Sequence, residues 1–333
     1  MSSAASSLEA VTARVPAKVN LELMVGPPRP DGFHYLATVF QAVGLHDDVT
    51  VEPADDWGIT INGPYAHLVP ADETNLALRA ARLLAEESGI DIPVHITIDK
   101  DIPVAAGMAG GSADAAGALL ACDALWGLFS SKSALEQLAA ELGSDVPFAL
   151  LGGTAMGSGR GDRLAPVLGR GRYTWVFALS DVGLSTPTVY AECDRLRANL
   201  PVPEPTPSAS LMTALRLGDA PSLGKALSND LQPAALSLQP RLEEVLSTGL
   251  DNGALGGIVS GSGPTVAFLV SDTERSLDLA VALTASGAAP AMKRAVGPVR
   301  GAHIITAASG PRGSFGPNSH KAGPGGPAGL RSS

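Results

Sequence analysis

Apolar and polar positions along this chain change period several times, and the changes mark out its elements. Val49 and Val51, then Ile59 and Ile61, recur at every second position around a turn containing Asp and Pro, the spacing of two short strands. Leu76, Ala80, Leu83 and Leu84 recur at three and four, which predicts a helix stopped by Gly89 just beyond Ser88. Val94, Ile96 and Ile98 alternate with His95 and Thr97, as on a strand with one buried face. Ser133 and Glu136 stand at capping-box spacing ahead of Leu135, Leu138 and Leu142, with Gly143 after them, and predict a helix capped by Ser133. Further strands are expected at Tyr173–Leu179, 265–270 and His303–Thr306. The Pro- and Ser-rich stretch 200–210 reads as an exposed connection, and no internal repeat is visible.

Strands in the first third arrive in groups and not in strict βαβ alternation. That favours an α+β fold, with helices gathered on one side of mostly antiparallel sheets. The chain has 333 residues, enough for two domains or one large one with a substantial core. Its 38 Gly and 26 Pro are a high share, and part of that excess sits in residues 309–333, which have no periodic apolar pattern and are expected to be disordered. That tail holds Arg312, Lys321 and Arg331 but no acid, so the rest of the chain is more acidic than the overall net charge of -10. An acidic body with 4% aromatic residues argues against a nucleic-acid binder, which needs a basic footprint and stacking rings. A polyanion bound here would need a local positive site against an unfavourable long-range field. No apolar run reaches the ~18 residues of a membrane span, and the Ser/Ala-rich start lacks the basic and apolar regions of a secretory signal. Cys122 and Cys193 have no metal-site spacing and read as reduced thiols, which fits a cytoplasmic protein.

Four clusters carry candidate chemistry. The first, Asp99 to Ala116, follows the strand at 94–98 and leads into a helix of small residues. Gly107, Gly110 and Gly111 let backbone approach a ligand closely, and the helix beyond them offers free N–H groups to an anion such as phosphate. The same glycines would also serve a strand–helix turn that needs only tight packing. Neither G-x-x-x-x-G-K-[ST] nor G-x-G-x-x-G with its distant acid is present, so the two best-known nucleotide loops are excluded. In the second cluster, Pro16-Ala17-Lys18-Val19-Asn20-Leu21, Lys18 and Asn20 share one strand face, suited either to an oxygen-rich ligand or to a solvated edge strand. It is followed by Asp31-Gly32-Phe33-His34. The third is Leu142-Gly143-Ser144-Asp145-Val146-Pro147-Phe148, in which Asp145 is the one acid of a small and apolar run; it reads as a site residue or as a turn or cap. The fourth, Ser260-Gly261-Ser262-Gly263-Pro264, suits a tight turn or a second approach to phosphate.

Taken in this order, P-A-K-x-N-L, D-G-[YF]-H, G-x-x-G-G-S, L-G-S-D-V-P-F and S-G-S-G-P resemble the GHMP kinase superfamily, over residues 14–306. D-G-F-H together with L-G-S-D-V-P-F is more specific than any glycine loop, and resembles the branch of that superfamily acting on a cytidine diphosphate-linked methylerythritol. The resemblance implies a two-domain α+β kinase with its active site in the interdomain cleft. It implies a flexible N-terminus at 1–10, an ATP-binding domain at 11–165, a substrate-binding domain at 166–308 and the tail at 309–333. It further implies transfer of the γ-phosphoryl of ATP, with Mg2+, to a 2-hydroxyl in the non-mevalonate route to isoprenoid precursors.

Family roles then fall on matching residues. Asp145 resembles the acid that accepts or orients the hydroxyl proton. Lys18 is similar to the catalytic lysine that keeps this acid ionised and stabilises charge on the transferring group, a coherent pairing since a cation lowers a neighbouring carboxylate's pKa. The loop Pro103, Val104, Ala105, Ala106, Gly107, Met108, Ala109, Gly110, Gly111, Ser112 and Ala113 would hold the ATP phosphates, with Ser112 a contact to magnesium or phosphate. Asn75 and Lys100 match positions lining the nucleotide base. For the substrate, Asn20 would bond near the methylerythritol hydroxyls, His34 would read the cytosine edge, Phe33 and Tyr190 would sandwich the ring, and Thr186 would sit near the phosphates or sugar end. Two departures stand out. Phe33 replaces the more usual Tyr, and Asp114 brings a negative charge beside the loop, which leaves the magnesium ligands open. Rival readings are a kinase of homoserine, mevalonate or a sugar, and a nucleotide-binding module without catalysis. No sequence pattern indicates the oligomeric state.

Overall fold

The computed structural model describes residues 9–306; the expectations for the extreme N-terminus and for the tail from 309 onward lie outside the described residues. Two long strands, β1 (Val11–Pro28) and β2 (His34–Pro53), form an antiparallel pair. Their hairpin is made by the Arg29-Pro30-Asp31-Gly32 segment. Proline sets one φ in advance and Gly32 supplies φ +83°, while Gly32 N–H donates to the Arg29 carbonyl at 3.0 Å. Around this pair a mixed sheet runs β12 (His303–Thr306), β1, β2, β4 (Val94–Asp99), β3 (Gly58–Asn62). The other half of β2 pairs with β5 (Thr154–Gly159), which carries β6 (Arg163–Pro166). The short β8 (Ser228–Asn229) lies parallel to β1.

A second, fully antiparallel sheet has the order β11 (Ala291–Gly297), β7 (Tyr173–Leu179), β10 (Val266–Val270), β9 (Gly256–Val259). Helices Arg241–Asp251 and Thr273–Ala285 supply the apolar cluster around Phe268 and Val270 on that sheet. The main core is continuous across both sheets, since Trp175, Phe177 and Leu269 join Val15, Val19 and Val49 in one buried cluster. A polar tie reinforces it. Trp175 Nε1 donates to Gln41 Oε1 at 3.0 Å, and Gln41 Nε2 donates to Thr154 Oγ1 at 3.3 Å, all in buried surroundings.

The helix Gly110–Trp126 lies at the centre. Most of its residues are small or apolar and buried, with Asp114 and Asp123 the acidic exceptions. Gly117 allows its close approach to the sheet, because a Cβ there would meet Val49 and Val15 methyl carbons at 2.7 and 2.8 Å. The α+β architecture is thus as the grouping of strands implies, and the last strand, β12, returns to the first sheet beside β1.

Several local expectations change. The helix Lys132–Leu142 is capped by Ser131, not Ser133: Ser131 has extended backbone and its Oγ accepts from Ala134 N–H. Three serines stand within four positions here, and only the backbone geometry selects the cap. The strand expected at 265–270 begins at Val266, because the Thr265 carbonyl closes the preceding turn with Ser260 N–H. β3 pairs in parallel with β4 at the sheet edge, an exception to the mostly antiparallel pairing expected. The connection at 200–210 ends earlier than its composition suggests. Ser208 caps a helix from Ala209, and its N–H donates to Glu22. Helices Thr186–Arg197, Ala209–Leu217, Arg241–Asp251 and Thr273–Ala285 have no counterpart among the expected elements.

Candidate active site

A cavity of about 500 Å³ opens between the two halves of the chain. Its walls come from β1 and β2, from the loop 105–112, from Ser144 and Asp145, from Arg160 and Gly161, from the segment 184–190, and from Gly261 to Gly263. All four clusters singled out in the sequence therefore meet, through folding, at one place.

Lys18 and Asn20 lie two apart on β1 and point the same way, while Val19 and Leu21 between and beyond them are wholly buried. β1 is an interior strand, paired with β2, β12 and β8, so Lys18 is not a solvated edge residue. Lys18 is only 6% exposed. Its ammonium donates to Asn20 Oδ1 at 2.6 Å and stands 3.8 Å from Asp145 Oδ2. Burial pushes its pKa below the usual lysine value, an effect that the neighbouring Asp145 charge opposes. Asn20 is itself oriented, donating to Thr38 Oγ1 at 2.9 Å, and Thr38 donates on to the Glu22 carbonyl. Asp145 sits at the start of the short helix Val146–Leu151 but caps nothing; its carboxylate side chain, 31% exposed, is open to the cavity.

The glycine loop meets this pair from the other side. Ala105, Gly107 and Ala109 all have positive φ, and the turn they make aims the first turn of the helix Gly110–Trp126 at the cavity. Unpaired N–H groups and the helix's partial positive charge therefore face the ligand space. A Cβ at Gly107 would lie 2.0 Å from the Ser260 carbonyl oxygen, so this residue can only be glycine. Ser260 Oγ in turn donates to the Gly107 carbonyl at 3.0 Å, and Asn229 Nδ2 holds the Val259 and Gly261 carbonyls at 2.7 Å each. The fourth cluster thus braces the phosphate-type loop and also approaches Lys18: a Cβ on Gly261 would stand 3.1 Å from Lys18 Nζ. Thr186 shares a 2.8 Å hydrogen bond with Ser262 on the same wall.

Not every expected loop residue faces the cavity. Ala105, Ala106, Gly107, Ala109, Gly110, Gly111 and Ser112 line it, whereas Met108 and Ala113 are turned into the core and Pro103 is buried. Val104 lines a smaller adjoining cavity together with Asn75, Lys100 and Asp114, continuous with the first through Leu76 and Gly111. In that cavity the polar atoms of Asn75 and Lys100 are already engaged. Asn75 caps the helix Leu76–Ser88 through Oδ1 and donates to the Pro70 carbonyl through Nδ2. Lys100, 1% exposed, donates to Asp47 at 2.5 Å and Asp114 at 2.7 Å. Burial would lower its pKa, but the two carboxylates more than offset this and raise it. For Asp114 burial dominates over the Lys100 attraction and its pKa is raised. Asp114 is therefore paired with Lys100 through Oδ2 and lines the adjoining cavity, not the main one.

Of the substrate candidates, Tyr190 and Thr186 line the cavity, and Asn20 lies beside Lys18. Burial raises the Tyr190 phenol pKa, with the Asp145 charge adding to it, so this ring stands within reach of the Lys18–Asp145 pair. Phe33 and His34 flank the mouth and do not line the cavity itself. His34 lies against Tyr190 with ring centroids 5.1 Å apart, and Phe33, 53% exposed, has the Arg160 guanidinium 5.3 Å over its ring. Arg160 is a charged lining residue that sequence reasoning missed. With Lys18 it supplies the cationic side chains of the lining, and its setting, Gly159-Arg160-Gly161, was the available signal. Among the described residues no group of three or more His, Cys, Asp or Glu gathers as a metal site. Both cysteines are buried free thiols.

This fold and cleft are those of a GHMP kinase. Residues 75–153 match the GHMP kinases N terminal domain and residues 211–289 the GHMP kinases C terminal. The crystal structure of a homoserine kinase from Cytophaga hutchinsonii (TM-score 0.68, 21% identity, covering 89% of this chain and 97% of that one) shares the fold. Within that class, a 4-diphosphocytidyl-2-C-methyl-D-erythritol kinase of Streptomyces avermitilis is 57% identical over 295 residues, covering 89% of this chain and 99% of the relative. One of Mycolicibacterium smegmatis is 54% identical over 304 residues, 90% and 94% of the two chains. A solved 4-(cytidine 5'-diphospho)-2C-methyl-D-erythritol kinase superposes with a TM-score of 0.70 at 35% identity, covering 85% of this chain and 98% of that one. The chain belongs to the 4-diphosphocytidyl-2-C-methyl-D-erythritol kinase family.

Proposed function

We propose that this enzyme transfers the γ-phosphoryl of ATP to the 2-hydroxyl of 4-diphosphocytidyl-2-C-methyl-D-erythritol, a step in the non-mevalonate route to isoprenoid precursors. The observation that carries the reading is the buried Lys18 ammonium, 3.8 Å from the open Asp145 carboxylate, in the cavity entered by a helix N-terminus. Phosphoryl transfer needs positioning and charge neutralisation more than covalent help, and this wall offers both. Asp145 accepts or orients the proton of the substrate hydroxyl. Lys18, held by Asn20, faces the charge that develops on the transferring group. The N–H groups of residues 107–112 cradle the ATP phosphates, and the adjoining apolar cavity beside Asn75 and Lys100 takes the adenine. Arg160, its guanidinium held by Asp162 at 3.0 Å, places a second cationic group beside a substrate that is itself a diphosphate.

Magnesium fits the donors present. Ser112 Oγ and the Asp145 carboxylate are hard oxygens on the cavity wall, and Mg2+ commonly takes one or two protein oxygens alongside phosphate oxygens and water. When bound, the ion neutralises phosphate charge. On the base side, Phe33 and Tyr190 supply flat rings and His34 a hydrogen-bonding edge, while Thr186 lies toward the phosphates or sugar. The ATP-binding elements fall in 11–165 and most of 166–308 forms the second half, with Phe33 and His34 reaching over from the first. No helix among the described residues is long and apolar enough to cross a membrane. We read the enzyme as a cytoplasmic one acting on small molecules.

ATP consumption coupled to the cytidylated substrate in the presence of Mg2+ tests the whole reading. Asp145→Asn should lower kcat on the order of 10²–10⁴-fold, the usual contribution of a positioned base, with ATP affinity nearly unchanged. Methylerythritol phosphate lacking the cytidylyl group should be a poor substrate. Near-normal turnover by Asp145→Asn, or equal turnover of both compounds, would overturn the assignment.

A further inference from the structure

His34 opens β2 directly after the hairpin turn, and its ring is met by two side chains from one helix, Thr186–Arg197. Tyr190 and Asp194 are four residues apart on that helix, so they lie one turn above the other on the same face. Tyr190 presents its ring at a centroid distance of 5.1 Å and a tilt of 33°. Asp194 places Oδ1 2.9 Å from His34 Nε2. The His34 side chain is 7% exposed and the Asp194 side chain 50% exposed, so the carboxylate reaches in from the surface to a nearly buried imidazole.

The contact with Asp194 identifies Nε2 as a hydrogen-bearing nitrogen of the ring. An ionised carboxylate has acceptor oxygens only, so Nε2 must carry the hydrogen. A neutral imidazole has a single N–H, and Nδ1 is then an acceptor. Cytosine and uracil differ where this matters: cytosine carries an amino donor at C4, and uracil a carbonyl acceptor. An acceptor nitrogen bonds the first and is left facing a second lone pair with the other.

We propose that Asp194 is a positioning residue that sets base specificity: by holding His34 in the Nε2–H form, it makes Nδ1 an acceptor for the amino group of a cytosine ring. The inference rests on the reading of His34 as the residue that meets the base. Asp194 touches neither substrate nor reacting atoms in this account, and its hydrogen bond is to His34 and not to Lys18 or Asp145, so its effect falls on recognition and not on the chemical step.

The test compares wild type, Asp194→Ala and Asp194→Glu on the cytidylylated substrate and its uridylylated analogue. Wild type should favour the cytidylylated compound. In Asp194→Ala the ring is free to take either tautomer; KM for the cytidylylated substrate should rise about tenfold with kcat little changed, and the preference over uridylyl should fall on the order of 10–100-fold. Asp194→Glu, which keeps an acceptor, should retain most of the preference. A purely structural tether would lower turnover of both compounds equally, and that result, or an unchanged preference, would overturn the proposal. Long-range ¹H–¹⁵N spectra of the histidine rings in the wild-type enzyme, assigned with His34→Gln, give a readout that needs no Asp194 variant to fold. They should show His34 as the Nε2–H tautomer, and an Nδ1–H ring would overturn the proposal. If wild type carried the Nε2–H ring but failed to phosphorylate the cytidylylated compound, the functional reading would fall and the hold of Asp194 on His34 would stand.

Discussion

Lys18 shows how much of a residue's chemistry depends on its surroundings. In the sequence it is one of 23 basic residues, equally suited to guarding a sheet edge. Folded, it is buried with its proton held by Asn20 and countered by Asp145. Desolvation disfavours the charged form, so its pKa falls despite the carboxylate beside it. If the ammonium is the form that stabilises the transferring phosphoryl, activity should fall on the alkaline side at a pH below the ordinary lysine value of ~10.4. A pH profile of kcat checks this, and Lys18→Arg, which stays protonated throughout, should lack that limb in whatever activity remains. The same shift has a sign for stability. Between the depressed folded pKa and the ordinary unfolded one, the unfolded chain holds a proton the folded chain has shed. The Lys18 contribution to stability therefore rises with pH across that window. Lys100 is the contrasting case, equally buried but raised because two carboxylates flank it. The positions of these lysines were legible in the sequence. Their charge states were not, because they depend on partners such as Asp47, 53 residues away.

The element that makes the site is the helix Gly110–Trp126, and its position depends on what it lacks. A strand, a glycine loop and a run of small residues announced it in the sequence. What the small residues accomplish is contact: Gly117 rests on Val15 and Val49 where a methyl group would overlap both. Gly117→Ala would gain about 1 kcal/mol of helix propensity. It would lose about 1–3 kcal/mol to overpacking in a core that has no space to yield. Overpacking wins, so the urea midpoint should fall. Because the displaced helix also carries Gly110, Gly111 and Ser112 at its first turn, KM for ATP should rise in the same variant. A midpoint at or above the wild-type value would show that the sheet relaxes to admit the methyl group. The supporting loop, Ser260 to Gly263, belongs to this scale too. It was readable as a turn or as a second phosphate contact, and it both braces Gly107 and lines the cavity.

At the scale of the molecule, the cleft exists because two sheets share one core. Gln41 on β2 accepts from Trp175 on β7 and donates to Thr154 on β5, three elements joined by one buried amide. Gln41→Leu is close in volume but leaves the Trp175 N–H without a partner in an apolar setting. A buried unsatisfied donor costs about 1–3 kcal/mol, and thermal or urea unfolding should register a loss of that size. Activity at low temperature should survive, since Gln41 does not line the cavity. Loss of activity with unchanged stability would mean that the joint governs the cleft in some way other than by holding the halves together.

The local alternation and helical spacing of the chain determined most strands of the first half, the helices from Leu76 and Gly110, and the α+β class. These follow from neighbours within a turn or a pleat, and such neighbours are written consecutively. The motifs likewise marked Lys18, Asp145 and the glycine loop, because backbone conformation and charge require those residue types. Only the tertiary structure decided that β3 joins β4, that Ser131 and not Ser133 caps its helix, and that the helices Arg241–Asp251 and Thr273–Ala285 pack on the second sheet. It alone turned Asp114 toward Lys100 and brought Arg160 and Asp194 to the cavity and its mouth. Each of these depends on which of several equally suitable groups lies close once the chain has folded, over separations that no sequence window spans.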